Sequence, residues 1–81
     1  MVVHVQLFAS LREALGETIA IEMAEPVTAS ALLARFVELH PQFSSAIDSL
    51  KVAVDQEYSA TDVEIRAGQE VVIFPPVSGG R

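Results

Sequence analysis

The C-terminal end of the chain holds the least ordinary combination of residue types, Phe74-Pro75-Pro76-Val77-Ser78-Gly79-Gly80, followed by Arg81. Adjacent prolines confine the backbone to extended conformations and reduce the entropy lost when a partner orders the segment. Two glycines act the other way. They remove every side-chain atom and leave backbone thin enough to enter a channel that admits nothing wider. At about 3.3 Å per residue, Pro75 to Gly80 can span roughly 20 Å. A stiff base with a bare tip reads as a segment for insertion into another protein's site.

The other chemically able groups lack the company that chemistry needs. His4 and His40 have no H-x-H or H-x-x-x-H spacing and no third ligand nearby, so no metal site is expected. They read as a solvent-facing strand histidine and a histidine at a helix C-terminus. Asp55, Glu57, Asp62 and Glu64 lack the regular oxygen spacing of a calcium loop and read as a solvated face. Ser10, Ser30, Ser44 and Ser45 have no partner base in a nucleophile-elbow context. There is no cysteine, which excludes disulfides, thiolate metal sites and thiol nucleophiles. A glycine-rich phosphate loop is missing as well.

Eighty-one residues suffice for one core, and a 51% hydrophobic, 20% charged composition is that of a folded globular chain. The formal net charge of −6 disfavours nucleic acid and anionic membrane surfaces as partners, since both demand clustered Lys and Arg. No apolar run approaches the ~20 residues of a membrane span, and no signal segment is recognisable. Cytoplasmic residence is the expectation.

The elements that must hold out the tail follow from hydrophobic periodicity. Val2 to Phe8 alternates, with Val3, Val5 and Leu7 on one face, and reads as a strand. Ser10 and Glu13 have the spacing of a capping box for a short helix carrying Leu11, Ala14 and Leu15, with Gly16 as a left-handed stop. A second strand runs from Glu17 to Met23 and is broken by Glu25-Pro26. Thr28 is the expected N-cap of the main helix, with Val27 and Leu32 as a hydrophobic staple. Leu32, Leu33, Phe36, Val37 and Leu39 form its apolar stripe, and Pro41 ends it at His40. Phe43 to Leu50 suggests another short helix, with Phe43, Ala46, Ile47 and Leu50 pointing inward. Strands are expected at Lys51 to Val54, before a turn at Asp55-Gln56, and at Asp62 to Ile65, before a turn at Ala67-Gly68. The four-residue apolar run Val71-Val72-Ile73-Phe74 predicts a central strand covered on both faces, ended by the prolines. The order predicts an α+β fold, one mixed sheet with a helix across one face. With the last strand beside the first in mid-sheet, it is a β-grasp, the ubiquitin-like arrangement. Residues 1–74 form the domain and 75–81 an extended, flexible tail.

Against this background, Ile73-Phe74-Pro75-Pro76-Val77-Ser78-Gly79-Gly80 resembles the C-terminal signature of the MoaD family, the small sulfur-carrier subunit of molybdopterin synthase. Leu7-Phe8-Ala9, Leu11-Arg12-Glu13, Gly16 and Gly68-Gln69-Glu70-Val71 are similar to that family too, so the resemblance covers nearly the whole chain. It implies a carrier that binds no cofactor itself. An ATP-dependent activating enzyme adenylates the C-terminal glycine carboxylate, and sulfur from a persulfide donor protein displaces AMP to leave a thiocarboxylate. The tail then enters the large catalytic subunit and gives its sulfur to cyclic pyranopterin monophosphate, forming the dithiolene of molybdopterin. Transferred to this chain, the reacting carbon is that of Gly80. Gly79 provides clearance, and Phe74, Pro75, Pro76, Val77 and Ser78 direct the tail.

The chemistry is coherent, because a carboxylate is a poor electrophile and a mixed anhydride splits one hard step into easier ones. Arg81 departs from the family pattern, in which the second glycine is terminal. A peptide-bonded Gly80 has no carboxylate to activate. Arg81 is then removed first, or is foreign to the natural chain, or the chain is not an active carrier. Two alternatives accompany this reading: a β-grasp sulfur carrier for thiazole or cysteine synthesis, and a ubiquitin-like binding module that is never activated.

Overall fold

Strand β1, Val2–Leu7, buries Val3, Val5 and Leu7 and exposes Val2, His4 and Gln6. A two-residue period places those sets on opposite faces of a pleated strand. The computed structural model describes residues 1–58 and 63–75. β1 pairs antiparallel with β2, Thr18–Glu22, in the register Val3↔Ile21 and Val5↔Ile19. Reciprocal bonds between Met1 and Met23 lengthen that ladder: the N-terminal amine donates to Met23 O (3.1 Å) and Met23 N to Met1 O (2.8 Å).

Between them lies helix α1, Ala9–Leu15, and here the capping-box expectation fails. The extended residue at the helix start is Phe8, whose carbonyl accepts from Arg12 N, and no side chain caps this helix. Ser10 already lies within the first turn, so it lacks the extended backbone that an N-cap requires. The earlier start leaves Leu7 and Leu11, the last core residue of β1 and an i+4 partner, both buried. Gly16 does take a positive φ of 99°, and its N–H closes on Arg12 O. Its ψ of 178° is extended, however, so the chain leaves directly toward β2.

Thr28 behaves as the sequence predicts. It ends the two-residue strand β3, Val27–Thr28, and its hydroxyl accepts from Ala31 N (3.2 Å) at the start of α2, Ala29–Leu39. Val27 and Leu32 are both buried, as a staple requires. α2 stops before Pro41, with His40 as its C-cap. Leu32 and Phe36 are buried on its inner face and Leu33 and Val37 half-buried, but Leu39 is 43% exposed and does not belong to the core stripe. The next helix is a 3₁₀ helix at Pro41–Ala46, earlier and tighter than the helix expected over 43–50. Leu50 is buried, whereas Phe43, Ala46 and Ile47 are only half-buried.

The remaining strands are β4, Lys51–Val54; β5, Glu57–Tyr58; β6, Glu64–Ile65; and β7, Val71–Phe74. Asp55 and Gln56, at φ 53° and 66°, make the two-residue β4–β5 turn, the doubly positive geometry that matches strand twist. The main sheet runs β2-β1-β7-β4-β5, with β1 and β7 parallel and the other neighbours antiparallel. A second, two-stranded sheet joins β3 to β6 through Val27↔Ile65 and Thr28↔Glu64. The last strand is therefore central and next to the first, the β-grasp arrangement expected. α2 covers one face of the sheet: Leu32 and Phe36 share a core with Val5, Leu7, Val71 and Ile73. Among the described residues no second layer covers the opposite face, so the expected cover on both sides of β7 comes there from its neighbouring strands. Val72 is only 7% exposed there because the neighbouring strands flank it with Gln6 and Ala53.

Candidate functional site

β7 is held at both ends of its short run. Along its length it bonds to β1 on one side and β4 on the other. At its start, Asp55 closes a small network. Asp55 N donates to Glu70 O (2.7 Å), Glu70 N donates to Asp55 Oδ1 (2.9 Å), and Gln69 Nε2 donates to Asp55 Oδ2 (2.9 Å). Gln69 Oε1 in turn accepts from Arg66 N (2.7 Å), which fixes the Ala67-Gly68 turn where Gly68 sits at φ 88°. A carboxylate accepting main-chain N–H bonds is among the stronger polar contacts. Asp55 is exposed, as its reading in a solvated acidic face expects, and it also ties the β4–β5 turn to the approach of β7.

Phe74 ends β7 and is half-buried, as is Pro75 after it. These two of the sequence-predicted site residues belong to the described structure. Pro76, Val77, Ser78, Gly79 and Gly80 lie outside the described residues, as does Arg81, and with them the expected tail at 75–81 beyond its first residue. Asp62 of the acidic set lies outside as well, while Glu57 and Glu64 are exposed. His4 is exposed on the uncovered sheet face, and the His40 ring lies 5.3 Å from Phe36 at the end of α2. Among the described residues no group of three His, Asp or Glu is placed to hold a metal ion, and none of the polar or charged residues is buried.

The structure adds a feature beside Phe74 that the sequence reading passed over. Side chains of Gln6, Phe8, Ala53, Gln56, Glu70, Val72 and Phe74 line a shallow depression of about 360 Å³ on the uncovered face. Phe8 is 48% exposed, the register Leu7↔Ile73 brings it level with the end of β7, and Val2 continues the face at 50% exposure. An apolar patch with a polar rim is the form of a protein docking surface. The signal was present in the outward positions of β1, where Val2 and Phe8 stand in line with His4 and Gln6. The geometry thus combines a central strand held on both sides and an apolar depression on the open face beside the end of that strand. A β-grasp body with its last strand in mid-sheet is the class of protein this defines.

Comparison with known proteins agrees. The chain matches the ThiS family over residues 5–80 and belongs to that family. It is 36% identical over 78 residues to the molybdopterin synthase sulfur carrier subunit of Dictyostelium discoideum, covering 91% of each chain. Its likeness to the protein of the same name from Chlamydomonas reinhardtii is 35% over 83 residues, 99% of this chain and 100% of the other. The crystal structure of small archaeal modifier protein 1 from Haloferax volcanii is similar at a TM-score of 0.78 with 28% identity, covering 94% of this chain and 98% of that one. No helix of the described residues is long and apolar enough to cross a membrane.

Proposed function

We propose that this chain is the sulfur-carrying small subunit of a molybdopterin synthase, working in the cytoplasm and not catalytic by itself. The observation that carries the reading is the place of the last described strand: β7 is central and ends at Phe74, beside an open apolar depression on which a larger subunit can seat. In this reading the Pro-Pro stem then directs Gly79-Gly80 into that subunit. Family membership across nearly the whole chain and the carrier names of two relatives support the same conclusion.

In this reading Arg81 is absent from the working form. The Gly80 carboxylate attacks the α-phosphorus of ATP on a separate activating enzyme, pyrophosphate leaves, and the acyl adenylate forms. The outer sulfur of a persulfide on a donor protein then displaces AMP at the acyl carbon to give an acyl disulfide, and a thiol attacks its distal sulfur, forming a disulfide with the donor and releasing the thiocarboxylate. In the large subunit this sulfur passes to cyclic pyranopterin monophosphate. The chain binds no cofactor of its own; ATP belongs to the activating partner and the catalytic groups to the large subunit. In this reading the body's part is to hold, present and dock.

A second reading is favoured by the likeness to a small archaeal modifier protein: in it, this chain is a protein modifier whose activated terminus is joined to other proteins. Intact-mass analysis of the protein from its native host separates the readings. A carrier shows a species ending at Gly80 with one oxygen replaced by sulfur. Persistent Arg81 with no such species overturns the proposal, and higher-mass adducts joined through Gly80 favour the modifier.

A further inference from the structure

The main sheet has two unequal edges. β5 on one side is two residues long, whereas β2 on the other runs for five residues in unbroken register with β1. Met1 and Met23 exchange both of their main-chain bonds, and Leu7 N donates to Glu17 O (2.9 Å). Bonded pairs alternate with non-bonded ones along an antiparallel ladder, so the intervening Ile19 and Ile21 turn their N–H and C=O groups toward β1. Thr18, Ala20 and Glu22 turn theirs outward, and among the described residues no strand pairs with β2 on that side. An edge of this kind is a template for another strand unless lysine, proline or a bulge blunts it. Thr18-Ile19-Ala20-Ile21-Glu22 contains none of these, and its single charge stands at its end.

The same five residues say which strand fits. Laid antiparallel to a second copy with Ala20 opposite Ala20, the segment is self-complementary. Thr18 faces Glu22, Ile19 faces Ile21, and the outward main-chain groups of Thr18, Ala20 and Glu22 all meet donors and acceptors of the second copy. No acid stands opposite an acid, whereas a register that set Glu22 against Glu22 would oppose like charges. Ile19 is half-buried and Ile21 buried on the core side of the strand, so the apolar pairs lie together there, while exposed Thr18, Ala20 and Glu22 share the open face. We propose that β2 is a self-association edge, through which two copies of this chain pair isologously and join their main sheets into one. A two-fold axis normal to the sheet keeps both open faces on the same side. Two short strands bury less than the ~1,200 Å² of a stable complex, so the dimer is transient, with a Kd on the order of 0.1–1 mM. No residue of β2 lines the depression between Phe8 and Phe74, so pairing leaves it open in both copies and the inference stands apart from the docking reading above.

Sedimentation equilibrium of the full chain, with amide exchange followed by NMR, tests this between about 0.05 and 1 mM. Dimer should grow with concentration and slow the exchange of Thr18, Ala20 and Glu22, while Ile19 and Ile21, already bonded to β1, change little. Ala20→Pro removes one outward donor and no bond to β1, and should weaken pairing about tenfold or more. Thr18→Lys, set against Glu22 of the second copy twice over by symmetry, should tighten pairing about fivefold, and Thr18→Glu should weaken it as much. Ala34→Lys makes the same charge change on the exposed surface of α2 and should leave the dimer unchanged. A chain that stays monomeric at the highest concentration overturns the proposal. So does a dimer indifferent to the Thr18 variants, or one weakened by Phe8→Ala, since either pairs through another face. Should Ala20→Pro fail to fold, the opposed Thr18 variants and the amide pattern decide.

Discussion

Replacing Phe8 with alanine separates what the exposed sheet face does for folding from what it does for docking. An aromatic side chain brings about 200 Å² of surface, and Phe8 leaves 48% of its own uncovered. A partner seated on the face therefore removes about 100 Å² of it from water, worth at most about 2.5 kcal/mol at 25 cal/mol per Å². Alanine keeps part of that contact, so the expected loss is about 1.5–2 kcal/mol, or roughly 10- to 30-fold in Kd. The half already covered against its neighbours makes a similar contribution to the fold. Unfolding should become easier by about 1–2 kcal/mol, which a domain with a stability of about 5–15 kcal/mol survives. Calorimetric titration against the large subunit reads the first quantity and urea denaturation the second. Leu39→Ala is the matched control, since Leu39 is 43% exposed but lies on α2, on the covered side of the sheet. It should leave Kd unchanged. A Phe8→Ala affinity within twofold of wild type, or an equal loss for Leu39→Ala, would refute the assignment of the docking face.

Three further outcomes follow from individual contacts. Thr28→Ala removes the cap on Ala31 N and should cost about 1 kcal/mol in urea denaturation, leaving partner affinity unchanged. Asp55→Ala deprives Glu70 N and Gln69 Nε2 of their acceptor; amide exchange at Glu70 should accelerate, with about 1 kcal/mol lost from stability, while exchange at Ile73 changes little. Gly80→Trp should abolish sulfur transfer without moving the unfolding midpoint, because a tip of glycines contributes no side chain to a core; undiminished turnover would remove the argument from a narrow channel.

The parts of the fold legible from sequence are those in which burial and local geometry demand the same residues. Val3, Val5 and Leu7 alternate because one face of β1 is core, and Thr28 and Pro41 bracket α2 because a helix needs an acceptor at its start and cannot continue through a proline. The apolar run at residues 71–74 correctly marks a central strand, yet it reads the same whether a second layer or merely flanking strands cover Val72. That ambiguity hid the open apolar face. Ser10 misled for a related reason: the spacing of a capping box is local, whereas the start of α1 is set by keeping Leu7 and Leu11 in one core. Leu39 shows the same limit, since helical spacing puts it in the stripe of α2 while 43% of it stays exposed. Of the candidate site, the sequence named Phe74 and Pro75, while Phe8 and Ala53 emerged only when the strand register brought them beside the end of β7.

The central claim is that the Gly80 carbonyl carbon carries the sulfur. Protein ending at Gly80 is incubated with ATP, its activating enzyme, an isotopically labelled persulfide donor and a thiol reductant, then mixed with the large subunit and cyclic pyranopterin monophosphate while the label is followed by mass spectrometry. Label should enter the C-terminal peptide as a thiocarboxylate on Gly80 and leave it as dithiolene product accumulates. Label that reaches the product without passing through Gly80 would contradict the account.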